Sequence, residues 1–145
     1  MKTAIVYYSK HHGNTKKLIA AIAAGENVTA IDATEVKTAD LSEFDMVGFA
    51  SGIYYSKFHK TVLEFAEKNL PDGKKVFFLY TCGSPKKSYT NAIAECVKKH
   101  QATILGEYGC LGFDSYGPFK LIGGIAKGHP DQKELEGAVT FYKGL

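Results

Sequence analysis

The residues with the clearest chemical potential form a short segment that begins at Ser9 and ends with Gly13-Asn14-Thr15. A glycine at the start of a helical pattern lets backbone N–H groups and the helix dipole face an anion. The hydroxyl groups of Ser9 and Thr15 can add hydrogen bonds, and Lys10 can add a positive charge. Asn and Thr also favour helix caps that hold no ligand. The segment alone therefore leaves two interpretations open, an anion-binding loop and an ordinary cap.

Three further segments combine glycine with hydroxyl or aromatic residues, each after an apolar run. They are Ser51-Gly52-Ile53-Tyr54-Tyr55, Thr81-Cys82-Gly83-Ser84 and Asp114-Ser115-Tyr116-Gly117. A flat apolar slot with a few polar contacts at its edges suits a planar ligand. The tyrosines either stack on such a ligand or simply cover the edge of a sheet. The last segment could also meet a partner protein.

The sequence gives little support for a metal site or a catalytic thiol. His11 and His12 are adjacent and lack a neighbouring Cys or carboxylate cluster, so we expect no metal site. The three cysteines, Cys82, Cys96 and Cys110, are widely spaced, which predicts neither a disulfide framework nor a zinc site. No His or second Cys stands near Cys82 to activate it, so we expect no catalytic thiol.

The elements that must position these residues alternate between apolar runs and helical patterns. The predicted strands are Thr3–Tyr8, Val28–Ala33, Asp45–Ser51, Lys75–Thr81 and Thr103–Gly112, and the predicted helices are Asn14–Ala24, Lys60–Leu70, Tyr89–His100 and Gln132–Lys143. Gly25 stands where a helix C-cap belongs. This alternation predicts one α/β domain over residues 1–145, with a doubly wound, five-stranded parallel sheet of order 2-1-3-4-5.

A sheet of this kind binds ligands at the carboxyl ends of its strands, where the strand order reverses. Four predicted loops lie at that edge, over residues 9–14, 52–59, 82–88 and 113–129. They carry all four segments described above. We therefore expect those segments to converge on one site.

The amino-acid composition argues against several other functional classes. The chain has 145 residues with 18 basic and 15 acidic side chains, a net charge of +3, and every basic residue is Lys. The absence of Arg excludes arginine-finger chemistry, and the scattered lysines favour a protein that binds no nucleic acid. No apolar run approaches ~18 residues, so we expect no membrane span. A cytoplasmic monomer is the expectation that fits these features and the cysteine pattern.

The chain resembles the short-chain flavodoxins along essentially its whole length. The resemblance rests on Ile5–Ser9 running into Gly13-Asn14-Thr15, on residues 41–45 leading into 47–52, and on residues 79–83. It implies bound FMN. The phosphate then lies in the first segment, the Gly52 peptide contacts flavin N5, Tyr54, Tyr55 or Tyr116 stacks on the ring, and backbone N–H groups of residues 81–84 lie near the pyrimidine. The spacer Lys10-His11-His12 is one residue longer than the family's usual spacer, so Lys10 or a His is expected to add charge.

The resemblance implies a small electron carrier that passes electrons between redox partner proteins through non-covalent FMN. An alternative is an FMN-dependent oxidoreductase, because residues 50–59 are similar to a loop of flavodoxin-like protoporphyrinogen dehydrogenases; a quinone reductase belongs to the same alternative. A cofactor-free binding module also stays open. A phosphate-receiver domain is disfavoured, because Ser9-Lys10 and Ser51 stand where its acidic residues belong.

Overall fold

Strands and helices alternate along the chain as the hydrophobic pattern predicts. This computed structural model describes residues 1–9, 13–24, 27–112 and 128–145. Its strands are β1 (Thr3–Tyr8), β2 (Val28–Asp32), β3 (Met46–Tyr54), β4 (Lys57–Phe58), β5 (Lys75–Cys82) and β6 (Thr103–Leu111). Its helices are α1 (Asn14–Ala23), α2 (Lys60–Asn69), α3 (Asn91–Lys98) and α4 (Gln132–Lys143), with a 3₁₀ turn at Lys87–Thr90.

The sheet has the predicted parallel order, β2-β1-β3-β5-β6, with the short β4 paired only to β3. The central register sets Gly48 of β3 beside Ile5 of β1 and Phe77 of β5. Without β4, the order is the predicted 2-1-3-4-5, so the fold class is confirmed. Each helix begins at the carboxyl edge of the sheet because it follows a strand that ends there.

The predicted loop at residues 52–59 is wrong. Strand β3 continues to Tyr54, and β4 returns antiparallel to it, with Ile53 opposite Phe58. The turn residues Tyr55 and Ser56 have φ values of 52° and 65°. Two successive left-handed residues make the two-residue turn typical of tight hairpins, a turn for which Asn-Gly is the usual signal. Tyr-Ser carries no such signal, so the sequence did not reveal the hairpin.

Two apolar layers pack the sheet between its helices. On one face, the side chains of Val6, Phe49 and Phe78 pack under α2 and α3. On the other face, Ile5 and Leu79 pack under α1 and α4. The alternation along β1 and β5 is the period-2 pattern of a strand that is buried on both faces.

Smaller differences concern the ends of elements. The predicted helix at Tyr89–His100 is shorter, because Lys87–Thr90 forms a 3₁₀ turn before α3. Helix α1 is capped at Ala24, and Gly25 lies outside the described residues. Cys110 is buried as expected of a core residue, whereas Cys96 is half-buried against the core. Within the described ranges, no helix is long and apolar enough to cross a membrane.

Candidate functional site

The start of α1 is built as a backbone anion site would be. Gly13 is the N-cap residue and adopts a left-handed conformation, with φ 64° and ψ 23°. The side-chain acceptor at this helix start comes from Ser9, whose Oγ accepts the Lys16 N–H at 3.1 Å. Neither Asn14 nor Thr15 is the cap residue. Lys10, His11 and His12, to which the sequence assigned extra charge, lie outside the described residues.

Asn14 and Thr15 instead point inward and join α1 to two strand ends. The Thr15 and Thr81 hydroxyl oxygens lie 3.1 Å apart, and both residues are buried. Asn14 packs on the backbone of Gly112, where an added Cβ would lie only 2.8 Å from the Asn14 Nδ2. Gly112 in turn donates its N–H to the Cys82 carbonyl at 2.9 Å. The helix start is therefore fixed against the carboxyl ends of β5 and β6.

The second segment lies within the β3–β4 hairpin. Ser51 is buried, and its register partners are Tyr8 and Tyr80. Its Oγ donates to the Gly52 carbonyl at 2.5 Å and accepts the His59 N–H at 3.0 Å. Gly52 is a strand residue in register with Thr81. The Gly52 carbonyl thus already has a hydrogen-bond donor within its own hairpin.

Three aromatic rings lie beside this hairpin. The Tyr8 and His59 rings stack with centroids 3.7 Å apart, and Tyr54 meets both edge-on at 5.5 and 5.1 Å. Tyr54 is therefore half-buried in a cluster, whereas Tyr55 at the hairpin tip is 84% exposed. Which of them stacks on a ligand stays a prediction.

His59 is the N-cap of α2. Its Nδ1 accepts the Thr61 N–H at 3.1 Å. Desolvation by burial, with Lys60 as the next contribution, lowers the pKa of His59 below its usual value of 6.5, although Glu64 opposes the shift. A neutral ring suits this position because Nδ1 must stay an acceptor.

The third segment lies at the end of β5. Thr81 and Cys82 are buried, and the Cys82 thiol donates weakly to the Cys110 carbonyl at 3.5 Å. The loop that follows through Gly83 is fixed at Ser84, whose carbonyl accepts the Tyr89 hydroxyl at 2.6 Å. Burial raises the pKa of Cys110 to about 12, so that thiol stays protonated at neutral pH.

The fourth segment, Asp114, Ser115, Tyr116 and Gly117, lies outside the described residues. Further along the chain, Asp131 and Glu134 form a capping box at the start of α4. Glu134 donates its N–H to Asp131 Oδ1, and Asp131 donates its N–H to Glu134 Oε1, both at 2.9 Å. Glu134 also accepts the Leu111 N–H at 3.0 Å and contacts the His129 ring. The end of β6 and the start of α4 are therefore tied through one carboxylate.

His129, Asp131 and Glu134 bring three possible metal ligands within 4.8 Å of one another. The Glu134 oxygens, however, are already occupied by backbone N–H groups and by His129. A helix cap explains the geometry fully, and we assign no metal here. The Asp-x-x-Glu pattern before a helical run is the sequence signal that could have located this cluster.

The described parts of the predicted site thus converge on one edge of the sheet. They are Ser9, the start of α1, the β3–β4 hairpin, and the end of β5. Sequence reasoning missed Gly112, whose bare backbone admits Asn14, and it missed Tyr8 and His59 as ring partners of Tyr54. The arrangement offers helix-terminal N–H groups for an anion beside a wall of strand backbone and aromatic rings.

Comparisons with known proteins agree with this geometry. The flavodoxin domain model matches residues 5–111. An uncharacterized protein of Methanocaldococcus jannaschii is 36% identical over 147 residues, covering 100% of this chain and 98% of its own length. Two solved structures share the fold. A Megasphaera elsdenii flavodoxin has TM-score 0.64 and 22% identity, covering 94% of this chain and 97% of its own. An NADPH-quinone reductase from P. pentosaceus has TM-score 0.67 and 11% identity, covering 97% of each chain. The chain belongs to the flavodoxin domain family.

Proposed function

We propose that this protein binds FMN and carries electrons between redox partner proteins. The supporting observation is the construction of the α1 start, where left-handed Gly13 and the Ser9 hydroxyl frame a helix N-terminus that is fixed to the ends of β5 and β6. A helix N-terminus with close backbone access is a general site for phosphate groups. The family to which the chain belongs favours a flavin nucleotide as the molecule that carries the phosphate.

The residues present fit such a group. The phosphate would be held by Ser9 and by backbone N–H groups of Gly13, Asn14 and Thr15, while Gly52 and the backbone of residues 81–84 would border the ring. When bound, FMN supplies one- and two-electron redox chemistry. The protein's part is to bind and orient it, and buried Ser51 fixes the hairpin that borders the ring.

A matched pair of ligands tests the phosphate assignment. Apoprotein is titrated with FMN and with riboflavin, which has the same ring and lacks the phosphate, and the loss of flavin fluorescence is followed. We expect FMN to bind on the order of 100-fold more tightly, equivalent to about 2.8 kcal/mol. Equal affinities would contradict the role of the α1 start. No quenching by either ligand would favour the cofactor-free binding module.

The FMN-dependent oxidoreductase remains the alternative, supported by the likeness to the NADPH-quinone reductase. Turnover separates the two functions. A carrier exchanges single electrons rapidly with redox proteins and does not oxidise NADPH by itself. Steady NADPH oxidation by the FMN-loaded protein with a quinone present would establish the oxidoreductase.

A further inference from the structure

Six lysines surround the carboxyl edge of the sheet at the ends of its three central strands. We call this set the lysine rim: Lys16 and Lys17 in the first turn of α1, Lys57 and Lys60 at the β3–β4 hairpin and α2 start, and Lys86 and Lys87 after β5. All six are exposed. Tyr55, 84% exposed at the hairpin tip, precedes Lys57 by two residues. The rim therefore borders the edge where the proposed cofactor binds.

Among the described residues, no rim lysine has an ion pair of the kind found at the other end of the molecule. At the amino edge, Lys2 pairs with Glu43 at 3.3 Å, Lys99 with Glu67 at 3.0 Å, and His100 faces Asp72 at 3.7 Å. In the part of the chain that the structure describes, no carboxylate lies within ion-pairing distance of a rim lysine. The nearby acids of α4, Asp131 and Glu134, are held in the capping box.

The positive potential also acts on a neighbouring group. Burial lowers the pKa of His59 most and Lys60 lowers it next, while Glu64 opposes the shift and Lys37 adds a smaller lowering contribution. Charges that surround a site in this way raise the local concentration of oppositely charged partners and speed their encounter.

From these observations we propose that the lysine rim is a docking surface for an acidic redox protein, with the exposed ring of Tyr55 as an aromatic contact. The proposal deepens the proposed function and rests on it. A protein partner is favoured over nucleic acid because the chain has no Arg for base-edge recognition, and the lysines sit singly or in pairs on separate elements. Tyr is enriched in the cores of protein interfaces.

The first test measures electron transfer from the reduced, FMN-loaded protein to two small complexes of opposite charge. The reduced flavin gives up one electron, which converts ferricyanide to ferrocyanide, or hexaammineruthenium(III) to ruthenium(II). We expect the ferricyanide rate to fall with added salt and the hexaammineruthenium rate to rise, because salt screens attraction and repulsion alike. The opposite pair of salt responses would overturn the proposal.

The second test uses binding and two matched variants. The rim variant carries Lys57→Gln, Lys60→Gln and Lys87→Gln; the control carries Lys75→Gln, Lys98→Gln and Lys143→Gln, exposed lysines at the amino edge. The probe is an acidic rubredoxin, with binding followed by calorimetry at low ionic strength. We expect the rim variant to bind on the order of tenfold more weakly than the parent protein, and the control to bind like the parent.

Equal losses in both variants would show that only net charge matters and would overturn the docking surface. Tighter binding of a short DNA duplex or of vesicles containing phosphatidylserine than of rubredoxin would do the same. Failure of the proposed function is seen separately, since it appears as failure to bind FMN. Rubredoxin binding is measured with the same protein whether or not FMN is bound.

Discussion

Gly112 offers a direct test of how closely the proposed phosphate site depends on packing behind it. In Gly112→Ala, the new Cβ would lie 2.8 Å from Nδ2 of Asn14 and 3.0 Å from both its Cβ and Cγ. Ordinary carbon contacts begin near 3.5 Å, so Asn14 must retreat by about 0.5 Å. Because its own Cβ is among the atoms that clash, rotation of the side chain does not relieve the contact. The first turn of α1 must move.

A binding constellation must be held within about 0.5 Å of its productive geometry, so a shift of this size reaches the limit. We therefore expect Gly112→Ala to weaken FMN binding about tenfold, or about 1.4 kcal/mol. The free energy of unfolding should fall by less than overpacking alone implies, because the about 1–3 kcal/mol of overpacking is partly offset by the about 0.4–1 kcal/mol that Gly→Ala gains through the unfolded state.

The assay is fluorescence titration with FMN, accompanied by thermal unfolding. The matched control is Gly106→Ala within β6, the strand that ends just before Gly112, where the added Cβ would lie 3.2 Å from the Phe141 ring of α4. The control should retain FMN affinity. If Gly112→Ala binds FMN as the parent does, or if Gly106→Ala weakens binding equally, the connection from Gly112 through Asn14 to the phosphate site is refuted.

Four further predictions concern buried contacts, pH and redox potential. Thr15→Val leaves the buried Thr81 hydroxyl without its partner and should lower the free energy of unfolding by about 1–2 kcal/mol in urea titrations; Thr15→Val/Thr81→Val should recover part of this, and a fully additive loss would contradict the contact. Ser51→Ala removes the group that joins the Gly52 carbonyl to the His59 N–H and should cost about 1–2 kcal/mol, while Ser51→Thr should cost less; equal losses would show that the hydroxyl is unimportant. The hydrogen bond to Glu134 raises the pKa of His129, so its stabilisation is present in full below pH ~6.5 and is lost as pH rises through the folded pKa. The difference in Tm between the parent and His129→Asn should therefore shrink from pH 6 to pH 9, and a difference that grows would contradict the assignment. With net charge +3, the potential of the fully reduced flavin should be less negative than in an acidic relative, by up to about 70 mV (about 1.7 kcal/mol) for each charge ~10 Å away; redox titration giving an equal or lower value would refute this.

Much of the fold was predictable because local pattern and topology rules agree. Val6, Phe49 and Phe78 belong to continuous apolar runs, which are typical of strands that are buried on both faces. These runs alternate with amphipathic helices. The right-handed crossover rule then limits the possible strand orders to a few, of which 2-1-3-4-5 is the leading choice. The α4 bounds, Gln132–Lys143, match the prediction, and the capping box at Asp131 fixes where that helix begins.

Two features of the site depend on contacts between distant residues and left no local sign. The hairpin beyond Ser51 forms because β3 extends past its parallel pairing with β1 and β5. The chain then turns back as β4, with Ile53 opposite Phe58. The close approach of Asn14 to Gly112 joins residues that are far apart in the sequence. Local sequence preferences predict neither the hairpin nor this contact, because each depends on which strand ends meet in the folded protein.

The Tyr55-Ser56 turn has a consequence for what substitution at this tip can reveal. Both residues occupy a region of backbone space that L-amino acids with side chains disfavour, and Asn-Gly would form the same turn at lower conformational cost. Replacement of Tyr55-Ser56 by Asn-Gly would therefore remove the tyrosine without harming the hairpin. The turn geometry itself does not require an aromatic ring at this tip, so any contribution of the Tyr55 ring comes from what it contacts beyond the turn's own backbone.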